Sequence, residues 1–244
     1  MPRFFIAASG ISGDNARIGS ADAVHLKALR VKAGEHITLC DGLGTDYSCR
    51  LLSLYDDGAE LEIIGKSASL AEPDVKCSVF AAFPKGDKAE AIVQKSVELG
   101  AYEIVFFPSE RCVSRPEGAA LSKKLARLQK ISEEAAKQSG RGILPAVTAE
   151  TGFEQAMIRA ARADAAFFFY EEERANSIKD ALAFSEKPKT AAIVTGPEGG
   201  FQPEEKELAA ARGLLSVTMG PRILRCETAP LCALSAVMLM TGNL

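Results

Sequence analysis

Thr195-Gly-Pro-Glu-Gly-Gly200 and Met219-Gly-Pro-Arg-Ile-Leu-Arg-Cys-Glu-Thr-Ala229 are the two runs whose reading decides the fold. The first follows the strand-like Ala191–Val194 and leads into a helix start, with Gln202 as N-cap, Pro203 at the first helical position and Glu205 at the third. Gly196, Gly199 and Gly200 open backbone conformations closed to other residues and let a ligand approach the main chain beside Pro197 and Glu198. A strand that ends in a glycine loop before a helix is where open α/β sheets hold small molecules. The second run repeats the arrangement: Leu214–Met219 reads as a strand, Gly220-Pro221 breaks it, and an apolar helix follows. Two such loops so close in sequence suggest one shared pocket.

The spacing is neither G-x-G-x-x-G nor G-x-x-x-x-G-K-[ST], so the dinucleotide fingerprint and the P-loop are both absent. A single glycine loop would be read as a tight turn. The pair says more, because Arg222, Arg225 and Glu227 stand between glycine turn and helix, where a polar cluster has no obvious place in a core.

Working outward, Met1-Pro-Arg-Phe-Phe5, His25 with Leu29-Arg30, Gln94-Lys-Ser-Val-Glu-Leu-Gly100 and Glu134-Ala-Ala-Lys-Gln-Ser-Gly-Arg141 join the two loops in one order. Together these motifs resemble the ribosomal RNA methyltransferase E family over nearly the whole chain. The resemblance implies a knotted, S-adenosylmethionine-dependent methyltransferase of the SPOUT superfamily that methylates N3 of a uridine in 16S rRNA. It also implies a PUA-like RNA-binding β-barrel in front, a homodimer and a cytoplasmic location. Its cofactor site would use main chain from Tyr170-Glu171, from Thr195 through Gly200, and from Met219 and Gly220 to Ile223, Leu224 and Arg225. The knot would hold these three loops around a bent cofactor, with the C-terminal segment passing through a loop formed earlier, an exception to the usual rule against threaded chains.

Bulk properties agree with a soluble globular chain. At 244 residues it can bury a sizeable core, and 47% hydrophobic with 25% charged residues is ordinary for that class. No run approaches about eighteen uncharged apolar residues, so no membrane span is expected, and Ser9-Gly10 and Asp14 interrupt the N-terminal apolar stretch too early for a signal peptide. Cys40, Cys49, Cys77, Cys112, Cys226 and Cys232 are scattered without a C-x-x-C pair and read as reduced thiols. With only His25 and His36, a histidine-rich metal site is excluded, and no metal is expected.

The net charge of −3 argues against whole-surface attraction to nucleic acid. Its distribution differs along the chain: residues 75–150 carry 12 basic and 9 acidic side chains, whereas 1–74 and 151–244 are both acidic on balance. A local basic face can dock phosphates, although Lys123, Lys124, Arg127 and Lys130 alone fit an ordinary solvated helix face equally well.

Taken in order, residues 1–72 read as a small, mostly β domain and 73–244 as an α/β methyltransferase domain, with the linker at Ser67–Asp74 marked by small residues and Pro73. In the first, Arg3–Ala7, His36–Cys40, Tyr47–Leu54 and Ala59–Ile64 are strands, with turns at Asp41-Gly42 and Asp56-Asp57-Gly58 and one helix over Ala21–Leu29. In the second, strands at Val75–Phe83, Glu103–Pro108, Ala165–Tyr170, Ala191–Val194 and Leu214–Met219 alternate with helices at Lys88–Leu99, Gly118–Ser139, Ile178–Phe184, Pro203–Arg212 and Pro230–Thr241. That alternation predicts a mostly parallel sheet covered by helices.

Methyl transfer to a ring nitrogen depends on alignment and on losing the N3 proton, which a carboxylate can accept or a cation can ease by stabilising the imide anion. Glu198 and Glu227 are candidate bases, each equally readable as a turn or helix-end partner. Arg225 ranks first as stabiliser, with Arg222 beside it able to hold a phosphate in its guanidinium fork. Arg3, Arg30, Arg115 and Arg141 are the further RNA-binding candidates, and Arg141→Ala is expected to weaken RNA binding while sparing the cofactor. A noncatalytic RNA-binding assembly factor, lacking cofactor affinity, and a SPOUT enzyme acting on another RNA are the rival readings.

Overall fold

The computed structural model describes residues 2–244; Met1, the first residue of the N-terminal motif, lies outside the described residues. The chain forms two compact units: one runs to Glu72 and takes in Ala136–Leu144, and the other comprises Pro73–Ala135 and Pro145–Leu244. The short stretch Ala136–Leu144 keeps company with the N-terminal residues, a long-range pairing that composition and periodicity do not reveal.

The first unit is a curled six-stranded sheet. Its strands are β1 (Arg3–Phe5), β2 (Ile11–Ser12), β3 (Asn15–Gly19), β4 (His36–Cys40), β5 (Thr45–Leu54) and β6 (Gly58–Ala68), with helix α1 (Ser20–Ala28) between β3 and β4. The order is β1-β4-β5-β6-β3-β2, parallel only between β1 and β4. Period-two alternation turns Phe4, Ile18, Ile37, Leu39, Leu51 and Leu61 inward, and Leu26 of α1 closes the core. Gly58 is fixed by contact, since a Cβ there would stand 2.5 Å from the Ile18 carbonyl oxygen. The strands β2 and β3 went unread in the sequence because their inward residues, Ala16 and Ile18, are few and lie between polar ones.

The second unit is an all-parallel six-stranded sheet. It contains β7 (Lys76–Ala82), β8 (Glu103–Phe107), β9 (Ala146–Ala149), β10 (Ala165–Phe169), β11 (Thr190–Thr195) and β12 (Leu215–Val217) in the order β12-β10-β11-β7-β8-β9. The helices are α2 (Lys88–Glu98), α3 (Gly118–Ser139), α4 (Phe153–Ala160), α5 (Ile178–Ala181), α6 (Pro203–Ala211) and α7 (Ala229–Met240). Burial on both faces explains why β7, β8 and β11 are nearly continuous apolar runs. Both β9 and α4 lie in a segment to which the sequence reading assigned no element. Phe153, Ala156, Met157 and Ala160 carry the i, i+3, i+4, i+7 spacing that marks α4.

Chain order turns back between β7 and β11: β8 and β9 extend the sheet on one side, β10 and β12 on the other. The loops leaving the C-terminal ends of β7 and β11 therefore flank the switch point at which open parallel sheets bind ligands. Among the described residues, no helix is long and apolar enough to cross a membrane.

Candidate functional site

The loop after β11 is built from its far end. Phe201, fully buried, sits 4.3 Å from the ring of Phe168 and packs on Phe107 and Phe153 as well. Such a cluster holds the end of the loop by burial and ring contacts alike. The inside of the turn is tight, because a Cβ on Gly196 would lie 3.2 Å from the Phe201 ring. Beyond it, Gln202 and Glu205 form the reciprocal capping box foreseen in the sequence, and Pro203 opens α6.

Two side chains from distant strands close on this loop. Glu171, just past β10, accepts a hydrogen bond from the Phe201 N–H at 3.2 Å. Its carboxylate fills the space beside Gly200, where a Cβ would fall 1.6 Å from Oε1; Gly200 also has φ +68°, so the position admits glycine alone. Burial raises the Glu171 pKa. Arg111, beyond β8, donates to the Gly199 carbonyl at 2.9 Å and to Gln202 Oε1 at 2.8 Å. Nothing in the sequence reading singled out Arg111.

The second loop is held differently. Thr218 donates from its N–H to the Asn176 carbonyl, and the N–H of Tyr170 donates to that of Val217, so the loops after β10 and β12 lie side by side. Gly220 takes φ +96°, and among the described residues nothing beyond its chain neighbours lies within 4 Å of where its Cβ would be. Ile223 is 86% exposed. Ile223 and Leu224, two of the cofactor-site residues that the resemblance implies, do not form a closed apolar slot: Leu224 is half-buried, while Ile223 stands in solvent. Among the described residues, no group accepts from the main-chain N–H of Met219, Ile223 or Leu224. The guanidinium groups of Arg222 and Arg225 likewise have no ion-pair partner there, and both residues are exposed.

The two glycine runs meet through a residue from neither. Lys88, at the start of α2, places Nζ 3.0 Å from Glu198 Oε1 and 3.3 Å from Glu227 Oε2. The N–H of Lys85 donates to the same Glu198 oxygen at 3.0 Å. Cys226 lies between the carboxylates, with Sγ 3.6 Å from Lys88 Nζ and 3.2 Å from Glu227 Oε2. Burial, then the adjoining Glu227 and Glu198, pushes the thiol up to about 12, so it is protonated and inert at neutral pH.

Burial alone would raise Glu198, but its own main-chain N–H, Lys88 and the Lys85 N–H outweigh that and hold it at about 2. Glu227 is lowered first by its own main-chain N–H and then by Cys226 and Lys88. A carboxylate so stabilised in its charged form is a weak proton acceptor. The expectation of a base therefore yields, for both, to that of an ion-pair partner.

The remaining arginines divide. Arg141 is 3% exposed and pairs with Glu72 at 2.8 Å, while Glu72 also accepts from the Gly142 and Ile143 N–H groups. A guanidinium buried in this way braces the first unit, so the expected surface contact with RNA is corrected. Arg3 is similarly engaged, with both terminal nitrogens on Asp46 and Nε on the Arg141 carbonyl. Arg115 donates to the carbonyls of Ser109 and Cys112, shaping the loop after β8. Arg30 is exposed and holds φ +57°, the one non-glycine residue with positive φ among those described.

A cleft of about 770 Å³ opens beside the first glycine loop, lined by Ser109, Arg115, Phe153, Gln155, Gln202 and Leu208 among others. It shares Gln202 with the loop region but does not extend to the second run. The Ser109 hydroxyl is buried and has no hydrogen-bond partner among the described residues.

Comparisons with known proteins bear on this geometry. Residues 71–238 match the RNA methyltransferase domain family, and residues 18–64 the RNA methyltransferase PUA domain family. The chain is 34% identical over 249 residues to ribosomal RNA small subunit methyltransferase E of Bacillus subtilis (strain 168), covering 99% of this chain and 97% of that one. It is similar to the crystal structure of a ribosomal RNA small subunit methyltransferase E from Neisseria gonorrhoeae bound to S-adenosyl methionine, at 33% identity and a TM-score of 0.86 over 98% of this chain and 97% of that one. A methyltransferase of Legionella pneumophila in complex with the same cofactor gives 26% identity and a TM-score of 0.84, over 97% and 96% of the two chains.

Proposed function

The chain belongs to the ribosomal RNA small subunit methyltransferase E family, and from that premise we propose that it methylates N3 of a uridine in 16S rRNA with S-adenosylmethionine as donor. The observation that carries the reading is the convergence of the loops after β10, β11 and β12: Glu171 is packed against Gly200 and Phe201, and the two glycine runs are tied through Lys88.

The residues fit such a cofactor. Unengaged main-chain N–H groups at Met219, Ile223 and Leu224 offer donors for adenine and ribose acceptors, and the open face of Gly220 lets a ligand lie against the backbone. Tyr170, Glu171, Thr195, Gly196, Pro197, Gly199 and Gly200 form the facing walls. When bound, S-adenosylmethionine supplies an electrophilic methyl group. The protein's part is to position the uracil and ease the loss of its N3 proton. Arg225 is suited to the second task, because an exposed guanidinium without a competing carboxylate can stabilise negative charge spreading onto the uracil carbonyls. Glu198 and Glu227 hold the loops instead of accepting the proton.

A target base must leave the RNA stack to be methylated on N3. The cleft at Phe153, which does not reach Arg225, suits an unpaired base next to the target, with the Phe153 ring as a stacking surface and the Gln155 and Gln202 amides as polar contacts. Arg222 and Arg30 are the exposed arginines placed to meet phosphates. Arg30→Gly should leave the fold as stable or stabilise it by up to about 1 kcal/mol by relieving the left-handed backbone, yet weaken RNA binding in a filter assay. Unchanged RNA affinity would remove Arg30 from the interface. We also propose a homodimer, supported by the exposed apolar Leu239 and Met240 of α7; light scattering after size exclusion should give twice the chain mass.

The test of the reaction is direct. Purified protein, methyl-labelled S-adenosylmethionine and small ribosomal subunits lacking the modification should yield label in 3-methyluridine by nucleoside mass spectrometry. Label on a ribose hydroxyl, or none on 16S rRNA, would overturn the proposal.

A further inference from the structure

We infer that Lys88 is the positioning residue that sets the register of the two cofactor loops, an assignment that rests on the proposed S-adenosylmethionine site. Glu198 belongs to the first loop and Glu227 to the second, and they have no main-chain link shorter than the whole of α6 and β12. A single ammonium reaches both, at 3.0 and 3.3 Å. It comes from the N-terminus of α2, and the Lys85 N–H fixes the same Glu198 oxygen from the loop after β7. The pin thus stands at the switch point of the sheet, where β7 and β11 are neighbours.

Charge explains why lysine is needed. Without the ammonium, two carboxylates would face each other across the buried Cys226 thiol, and their repulsion would part the loops. With it, each is held in its charged form and the loops share one partner. The other links are weaker or less direct: the Cys226 thiol of the second run also lies against Glu198, and Glu171 joins the first loop to the segment after β10, to which Thr218 ties the second. The cluster carries one net negative charge, which also favours a cationic donor over a neutral product.

Lys88→Met and Lys88→Arg should be compared with the unaltered protein by calorimetric titration with S-adenosylmethionine and by hydrogen exchange without cofactor. Losing a charge-assisted link of this kind is expected to weaken the Kd of Lys88→Met by roughly tenfold or more. The kcat at saturating cofactor should fall by less than the affinity, because Lys88 does not touch the reacting atoms and bound cofactor re-seats the loop that carries Arg225. Lys88→Arg should recover most of the affinity. Amides of residues 219–228 should exchange faster in Lys88→Met while those of β7 and β8 are unchanged. A wild-type Kd in Lys88→Met, equal impairment of both variants, or unaltered exchange at 219–228 would each overturn the assignment. Should Lys88→Met fail to fold, Lys88→Gln removes the charge and retains a donor, and the same readings decide. Failure of the unaltered protein to bind S-adenosylmethionine would instead strike the proposed function, while the exchange measurement would still judge the pin.

Discussion

The two glycine loops look alike in sequence and are built in opposite ways. Thr195–Phe201 is anchored at its end by a fully buried phenylalanine, braced by Arg111 and wedged against Glu171. The run from Met219 to Glu227 presents Arg222, Ile223 and Arg225 to solvent and is tied down mainly at Thr218, Cys226 and Glu227. The difference separates two duties. The first loop is the more firmly held, and stability is invested there; the second keeps unengaged donors and cations, which in the proposed site meet ligand and RNA.

The largest expected break in this comparison is Phe201→Ala. It should destabilise the protein by about 3–5 kcal/mol, the usual loss for emptying a buried aromatic site, measured by denaturant unfolding. Ile223→Ala, equally apolar, should change stability by less than about 0.5 kcal/mol. Equal effects would mean that the second loop is as firmly seated as the first.

Next in size is the split between chemistry and folding. Arg225→Ala should lower kcat by about a hundredfold or more, as expected when a stabiliser of developing charge is removed, with an unchanged melting temperature. Arg111→Ala should do the reverse, destabilising by about 1–2 kcal/mol through two lost hydrogen bonds and raising the KM for the cofactor with kcat nearly unchanged. An Arg225 variant with full activity would move the charge-stabilising role elsewhere.

The smallest effect sharpens the same contrast through pH. Glu198 on the first loop and Glu173 on the segment after β10 are both held at about 2, against an ordinary value of 4.5. For Glu173 the causes are the Ala175 N–H first and then Ser216, with Lys206 and the Arg174 N–H adding to them. Since folding lowers these values, their stabilisation is present above pH 4.5 and is lost as pH falls through about 2. Glu198→Gln should therefore flatten the stability profile between those limits and lower stability at neutral pH, where the contribution of the charged carboxylate is fully present. An unaltered acid limb would show that Glu198 does not report through Lys88.

How much of this was legible depends on how local the signal is. The first loop and its helix start could be read because glycine conformations and a capping box are written in adjacent residues, and Gln202, Pro203 and Glu205 behave as their spacing foretells. The parallel sheet was legible for the same reason, from apolar runs such as Val79–Phe83. The bracing of the loops was not. Arg111 reaches Gly199 across 88 positions and Lys88 reaches Glu198 across 110, and such pairings follow from strand order, which periodicity does not reveal. Arg141 shows the converse error: a basic residue at a helix end reads as surface, yet Glu72 and the grouping of Ala136–Leu144 with the first unit draw it inside. The segment with β9 and α4 escaped because a four-residue, alanine-rich strand carries little signal, although the spacing of Phe153, Ala156, Met157 and Ala160 was there to be counted.

Calorimetric titration of S-adenosylmethionine into the unaltered protein, Gly200→Ala and Gly220→Ala tests most directly whether these loops make one socket. A Cβ at position 200 would overlap the Glu171 carboxylate, whereas one at 220 meets open space and strains only the backbone. The account predicts one site per chain, binding abolished in folded Gly200→Ala, and binding retained but weaker in Gly220→Ala. Wild-type affinity in a folded Gly200→Ala protein would contradict it.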